Sequence, residues 1–447
     1  MSSAQGNEPW IGDIPFEWQL MAIKRFVSAK ITDGPHETPE LTDDGVQFIS
    51  AEAVKNGRID FNLRRGFISH EDHRIYSRKC LPRKNDLFVI KSGATTGNIA
   101  YVDVDFEFSI WSPLAVIRCD ERLAFYKFIY YVLLSEVFRK QVELSWSFGT
   151  QQNIGMGVIE RLRAPLPPVD EQHRIAAYLD ASCAAIDAAV SAKRRQLDTL
   201  DALRKSIIQR AVTQGVAPDA VLEPTGNVWL EQIPRGWKLV ALKRIAEIRG
   251  GLTLGKQYEG ELIERPYLRV GNVQDGHLDL ADVSVIELPA SVAAGVELCP
   301  DDVLMTEGGD LDKLGRGHLW RGEIAGCLHQ NHIFAVRCFS HKLKPMFLAY
   351  ATAAQYGRDY FEATGKKTTN LANTNATKVG QFPIPLPPLA EQEAICAHLD
   401  EKTAEVNRIA ATITAQIDTL IAYRKSLIHE CVTGQRRVTE ADVAAIA

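Results

Sequence analysis

An internal duplication constrains this chain more than any other feature. Trp10-Ile-Gly-Asp-Ile-Pro-Phe-Glu-Trp18 recurs downstream as Trp229-Leu-Glu-Gln-Ile-Pro-Arg-Gly-Trp237. Lys24-Arg25 returns as Lys243-Arg244, and Val54-Lys-Asn-Gly-Arg-Ile-Asp60 as Val273-Gln-Asp-Gly-His-Leu-Asp279. Pro165-Leu-Pro-Pro-Val-Asp-Glu-Gln172 matches Pro385-Leu-Pro-Pro-Leu-Ala-Glu-Gln392, and Arg204-Lys-Ser206 matches Arg424-Lys-Ser426. The offset is the same throughout, to within one position, which means an A–B–A′–B′ order. The period far exceeds the roughly 20–50 residues of solenoid repeats, so each unit is a domain plus an appendage.

The appendages read as long helices. The Pro-Pro pairs at 167–168 and 387–388 punctuate the chain, because proline is excluded from a helix interior. Asp170 and Glu171 suit a first turn, where the macrodipole favours negative charge. No proline or glycine follows from Gln172 to Gln209, or from Gln392 to Thr433. Apolar residues recur every seven positions at Leu399, Val406, Ile413, Leu420 and Leu427, with Ile409 and Ile417 alongside. The first helix carries Leu179, Ile186, Leu200 and Ile207 in the same register, broken only by Lys193, with Val190 and Leu197 alongside. Such heptads predict lengthwise helix pairing. Each helix spans about 40 residues, or roughly 60 Å. Each could pack on its own domain, but two matching stripes in one chain can also satisfy each other as an antiparallel pair.

The remaining segments mix short apolar, β-rich runs with helical ones. Leu87–Ile90, Ile99–Val102 and Leu114–Ile117 read as strands in the first half. Tyr267–Val270, Val303–Met305 and Ile333–Val336 do so in the second. Phe125–Gln141 and Met346–Tyr360 read as helices. The expected fold is α+β: two duplicated domains separated by a long antiparallel, coiled-coil-like helix pair with pseudo-two-fold order. The expected boundaries are 1–165 and 216–384 for the domains, with helical spacers at 166–215 and 385–447.

Composition narrows the class. Hydrophobic residues make up 46% and charged residues 24%, which is ordinary for a globular protein. The N-terminal residues lack the apolar core of a signal peptide, and no continuous apolar run has the length of a membrane span, so a cytoplasmic location is expected. The eight cysteines are scattered with no CxxC pair, which disfavours a zinc ribbon or disulfide framework. Net charge is −5. Phosphate contacts need only a local basic surface, so nucleic-acid binding stays open, with a basic partner supplying part of the attraction.

Taken together, the Pro-Leu-Pro-Pro-x-x-Glu-Gln entries, the heptad helices ending near Ala211-Val-Thr213 and Cys431-Val-Thr-Gly434, and the Trp-x-x-x-Ile-Pro-x-x-Trp openings resemble the specificity subunit of type I restriction–modification systems. Lys91-Ser-Gly-Ala-Thr-Thr-Gly-Asn98, Glu307-Gly-Gly-Asp-Leu-Asp-Lys-Leu-Gly-Arg316 and His329-Gln-Asn-His332 add to the resemblance, which covers essentially the whole chain. It implies two target-recognition domains, each reading half of a bipartite, asymmetric DNA site. It also implies helices that dock methyltransferase subunits, expected to be two, and a separate motor and nuclease subunit. The alternative is a specificity-type protein of a non-restriction or single-chain nuclease–methyltransferase system. The first half lacks the second half's Gly-Gly-Asp-x-Asp-Lys motif, which implies unlike half-sites.

Catalytic motifs are missing. There is no Gly-x-Ser-x-Gly elbow and no Asn-Pro-Pro-Tyr or Asp-Pro-Pro-Tyr box, so no enzymatic activity, cofactor or metal is assigned to the chain itself. Gly250-Gly-Leu-Thr-Leu-Gly-Lys256 matches a Walker A loop up to its last position, where Gln257 stands in place of the hydroxyl residue that would reach magnesium. A glycine loop near DNA is expected instead. His70-Glu-Asp-His73 is expected to be a solvated turn, and His329-Gln-Asn-His332 a structural or DNA-contact element. Two loop types suit DNA. Lys91, Ser92, Thr95, Thr96 and Asn98 form a glycine-bounded polar cluster. Thr150, Gln151, Gln152 and Asn153 align with Lys366, Lys367, Thr368, Thr369 and Asn370. Gln and Asn can pair bidentately with adenine, while Lys reads guanine or phosphate. Lys313, Arg316, Arg161 and Arg163 are further candidates for phosphate positioning.

Overall fold

A computed structural model describes residues 10–145, 153–274, 276–309, 314–367 and 372–446. The chain divides into two compact units, one formed by 1–193 with 415–447 and the other by 194–414.

The first unit is built on a four-stranded antiparallel sheet. Its order is Thr32–Asp33, Leu114–Ile117, Leu87–Ile90, Ile99–Tyr101. Leu87–Ile90 and Leu114–Ile117 are buried throughout. That is why both read as unbroken apolar runs: a strand covered on both faces needs no alternation. Beside it, Val46–Ile49 pairs antiparallel with Gly66–Ile68 and parallel with Ser109–Ile110. The second unit repeats this order. Ala246–Gly250, Ile333–Cys338, Asp302–Thr306 and Gly317–Leu319 form its four-stranded sheet, and Ile263–Leu268 lies between Ser284–Leu288 and Leu328–His329. Each four-stranded sheet is stapled by a forked ion pair at matching positions. Arg118 grips buried Asp86 at 2.7 Å through both Nε and Nη2, and Arg337 grips Asp302 at 2.8 Å in the same way.

The predicted helices are present with two changes. Phe125–Gln141 is two helices, Tyr126–Leu134 and Glu136–Ser145. The break falls at Ser135, whose hydroxyl accepts from the Val137 amide at 3.2 Å. A serine oxygen that takes up a free amide in this way opens a new helix. The second unit breaks likewise at Ala354, between Pro345–Ala353 and Gln355–Thr364. The long helices, at Val169–Gln214 and Leu389–Thr433, each begin directly after the Pro-Pro pair and exceed the predicted length.

Within the first unit the two long helices run antiparallel: Lys193 Nζ donates to Gln416 Oε1 at 2.6 Å, and Asp187 meets Arg424 at 3.2 Å. Lys193, the one break in the heptad, is therefore a polar bridge between helices. In the second unit Ile207 and Ile208 of the first long helix pack with Ile395 and Leu399 of the second. Leu179, Ile186, Leu399, Val406 and Leu427 are buried, while Leu200, Ile207, Ile413 and Leu420 are half-buried. Ile417 joins the stripe, but Ile409 is 44% exposed and lies outside it. The first long helix has an 18-residue window of mean hydropathy 1.3. Within this helix Asp180 takes Tyr131 Oη at 2.8 Å and also Lys127, contacts of a helix packed on protein.

The duplicated motifs prove to be one joint. Gln172 is fully buried; its side-chain carbonyl accepts from the Phe125 amide at 2.7 Å, and its amide donates to the Leu123 and Pro167 carbonyls at 3.0 and 2.8 Å. Gln392 repeats this with Lys344, Lys342 and Pro387 at 2.8, 2.9 and 2.9 Å. The preceding glutamates accept the indole N–H of the opening motifs, Trp18 to Glu171 at 3.3 Å and Trp237 to Glu391 at 3.1 Å. The strands alongside complete the joint, with Gln19–Ala22 paired to Arg163–Leu166 and Lys238–Ala241 to Pro383–Leu386. Removing the Gln392 side chain takes these bonds from the part-buried Lys344 amide and Lys342 carbonyl and from the buried Pro387 carbonyl. Gln392→Ala should destabilise the second unit by about 3 kcal/mol, since a buried group left unpaired costs about 1–3 kcal/mol. Urea unfolding measures this; an unchanged midpoint and slope would contradict the joint.

Candidate nucleic-acid interface

The polar loops lie at equivalent places in the two units, and backbone bonds give the equivalence. Lys91 N–H donates to Pro113 O at 2.7 Å and Lys91 O accepts from Ile154 at 2.8 Å; Glu307 does the same with His332 at 2.9 Å and Thr374 at 2.7 Å. Gly97 N–H returns to Ile90 O, as Gly315 N–H returns to Thr306 O. Lys91–Asn98 and Glu307–Arg316 are thus the same hairpin loop, longer in the second unit. The Gly-Gly-Asp-x-Asp-Lys motif has no match in the first half, yet the two loops correspond in position.

The same bonds correct the alignment of the entry loops. Asn153 is bridged to Ser92, and Ala372–Asn373 pairs with Gly308–Gly309, so the counterpart of Asn153 is Asn373, not Asn370. Sequence reasoning missed Asn373, although the offset of the Pro-Leu-Pro-Pro motifs just after it pointed there. Lys366–Lys367 forms an exposed strand against Ala372–Asn373. Thr150, Gln151, Gln152, Lys313, Thr368, Thr369 and Asn370 lie outside the described residues.

Within the first hairpin loop the candidates separate. Thr95 and Asn98 are exposed at the rim, and Ser92 and Thr96 are half-buried, Thr96 Oγ1 donating to Gly93 O at 2.7 Å. Lys91 turns inward. It is 9% exposed and its ammonium bonds Asp33, which also takes Lys79 Nζ at 2.7 Å. A lysine held this way supports the loop's base and does not reach solvent as expected. Burial alone would raise the Asp33 carboxyl, but the bonds from Lys79 and Lys91 outweigh it and leave the group below its ordinary range, because bonds to the charged form favour ionisation. In the second unit Glu307 replaces Lys91 and accepts from His332 Nδ1 at 2.9 Å, and half-buried Arg316 takes the place of Asn98.

One motif behaves differently from expectation. His70-Glu-Asp-His73 is no solvated turn. It opens the His70–Ser77 helix, capped by Ser69, and buried His73 bonds Ser109 Oγ at 2.9 Å and Glu107 at 3.2 Å. The serine–histidine–glutamate order looks catalytic, but Ser109 is 1% exposed within a strand, leaving its hydroxyl no approach for a substrate. His329 is buried, with Nδ1 at 3.0 Å from Val296 O, and burial lowers its pKa so that it stays neutral. Of the Walker-like glycines, Gly251 has a steric origin. A Cβ at Gly251 would lie 2.4 Å from the His329 and Gln330 carbonyl oxygens, and one at Gly34 would lie 2.0 Å from Ile110 O. Only glycine lets the backbone pass there. The element that follows the glycines is the Ile263–Leu268 strand, not a helix, so the segment is no phosphate-binding strand–loop–helix.

Each unit is thus an α+β module carrying a polar hairpin loop, an entry loop and one end of each long helix. A family model described as the type I restriction modification DNA specificity domain matches residues 15–196 and again 234–419, most of the chain, and the chain belongs to that family. It is 23% identical to the EcoKI specificity subunit of Escherichia coli, across 86% of this chain and 80% of that one, and 21% identical to the StySPI specificity subunit of Salmonella potsdam, across 88% and 83%. A specificity subunit of Methanocaldococcus jannaschii is 27% identical, but the chain spans only 47% of its length. Among solved structures, the fold matches a chain from a type I R-M complex with a TM-score of 0.72 at 18% identity, covering 95% of this chain and all of that one. It also matches the HsdS subunit of Thermoanaerobacter tengcongensis with a TM-score of 0.52 at 18% identity, covering 95% and 98%.

The Asp33 cluster makes a pH-dependent prediction. A carboxyl whose pKa is depressed on folding adds stability above its unfolded value, about 4, and loses it as pH falls through the folded value. Asp33→Asn should therefore be less stable than the parent chain at neutral pH, with the gap closing below about pH 4. Thermal unfolding of both chains across pH tests this; a gap constant with pH would contradict the ion-pair account.

Proposed function

We propose that this chain is the sequence-reading subunit of a type I restriction–modification complex, and that each domain reads one half of a bipartite, asymmetric DNA site. One observation carries this reading. The same hairpin loop stands at the same place in two copies of one module, yet presents Asn98 above a Lys91–Asp33 pair in one and Arg316 beside a Glu307–His332 pair in the other. Duplicated scaffolds with unlike tips suit two unlike half-sites.

In this reading Thr95, Asn98, Asn153 and the Thr150–Gln152 segment meet base edges in the first domain. Ser92 and Thr96 shape the loop, and Lys91 braces it. In the second domain Lys313, Arg316, Thr368, Thr369, Asn370 and Asn373 take the same part, and Lys366 and Lys367 contact the phosphate backbone. The recognition domains comprise 1–165 and 216–384, with helical spacers at 166–215 and 385–447. The chain works in the cytoplasm and transfers no methyl group itself. Two methyltransferase subunits dock on the helices, flip and methylate the target base, and a separate motor subunit cleaves.

Exchanging residues 10–165 for the matching domain of a family member with another specificity tests the modular claim. One half-site should change and the other persist, read by mapping modified bases in DNA from cells carrying the hybrid complex. A change in both half-sites together would contradict it. The purified chain should transfer no methyl group to DNA until a methyltransferase subunit is added; transfer by the chain alone, shown free of other subunits, would overturn the non-catalytic assignment.

A further inference from the structure

The first unit has a cleft beside its reading loop that the sequence did not single out. It is bounded by the Val54–Ile59 hairpin, the turn at Phe61–Leu63 and the Lys91–Asn98 loop, and its lining includes Glu52, Lys55, Asn56, Arg64, Thr95 and Asn98. Thr95 and Asn98 belong to the rim already proposed to face bases, so the cleft continues that rim.

Its cations are held in place. Asn56 and Gly57 take φ values of 52° and 78°. Positive φ at two successive residues makes a tight hairpin turn, and this one joins Val54–Lys55 to Arg58–Ile59. The turn sits on Tyr130, whose Oη would lie 1.9 Å from a Cβ on Gly57. Lys55 and Arg58 then stand directly opposite each other, both exposed. Like charges across a strand pair are destabilising, so this arrangement costs stability unless an anion joins it. Arg64 lies 4.6 Å above the Phe67 ring and Arg65 4.1 Å above Trp111. Arg65 also meets Glu52 at 3.6 Å. A guanidinium stacked on an aromatic face is ordered while N–H groups at its edge remain available to a phosphate.

The second unit has no such cations at the matching places. Strand register sets Arg64 and Arg65 against Asp282 and Val283, and the hairpin bridges set Lys55 and Arg58 against Gln274 and His277. Asp282 takes its own cation, Arg269, at 2.7 Å. The charge is reversed at the entry loop. The second unit has Lys366 and Lys367 there, while residues 146–152 of the first, Trp-Ser-Phe-Gly-Thr-Gln-Gln, contain no lysine or arginine.

We propose that the two domains grip the DNA backbone from different elements: the first through Lys55, Arg58, Arg64 and Arg65 around this cleft, the second through Lys366–Lys367. The assignment rests on the DNA-reading function proposed above. These residues contact phosphate and so position the duplex, while base choice stays with the loop tips.

The test uses the full chain, a pool of random-sequence duplexes and binding measured at several salt concentrations. Replacing both Lys55→Gln and Arg64→Gln should flatten the log–log salt dependence by about two, since each phosphate contact contributes about one, and weaken binding. Sequencing the duplexes retained should return the same base preferences as the parent. Glu52→Gln removes the carboxylate that lines the cleft and should tighten binding, an outcome that a folding defect does not produce. A parent that binds while the double variant keeps its affinity and slope, or a Glu52→Gln chain that binds no tighter, would overturn the cleft assignment. A parent chain that does not bind duplex DNA at all would instead overturn the DNA-reading function itself.

Discussion

At the start of each long helix a buried glutamine bonds three backbone groups, and the glutamate before it accepts an indole N–H from the opening motif of the same unit. Through these two side chains the helix, the strand that precedes it, the opening strand and the loop before the paired helices become one joint. A neutral buried amide that satisfies all its partners fixes geometry without the desolvation penalty of a charge. Together with the bonds of Asp180 to Tyr131 and Lys127 and of Asp400 to Tyr350, the joint orients the sheets and their loops relative to the helix. The joint is built alike in both halves, which explains why the duplication is most visible at these motifs and fades toward the loops.

The scaffold was legible in the sequence because it rests on local, periodic signals. Buried strands read as apolar runs, helices as glycine- and proline-free heptads, and their boundaries as Pro-Pro pairs. What the sequence hid depends on contacts between distant residues. Lys91 looked like a loop cation, and only its proximity to Asp33 turns it inward. Ile409 fits the stripe by spacing yet lies outside it, because a straight helix drifts from a strict heptad. The Asn153–Asn373 match was obscured because the glycines at 149 and 365 suggest another register, whereas backbone pairing fixes the true one. Lys55 and Arg58 lay in a repeated motif, but their charge difference between halves means something only once they are seen with Arg64 beside a reading loop.

A scaffold built this way separates two tasks. The joint, the forked Asp86–Arg118 and Asp302–Arg337 pairs and the sheet registers are shared, so each hairpin loop is carried at the same place. The joint and the forked pairs are made by residues outside the loops; Leu314 of the second loop is buried in the core, so it is the exposed loop side chains whose replacement leaves the frame intact. The two halves illustrate this directly, with loops of different length and opposite charge at the base on the same sheet order.

The central claim, that two unlike loops on one duplicated frame read two unlike half-sites, is most directly tested by selection of duplexes from a random pool with the full chain, followed by sequencing of those retained. The account predicts two short blocks of different base sequence, separated by unspecified bases of fixed number. A single uninterrupted block, or two identical blocks in inverted orientation, would contradict it.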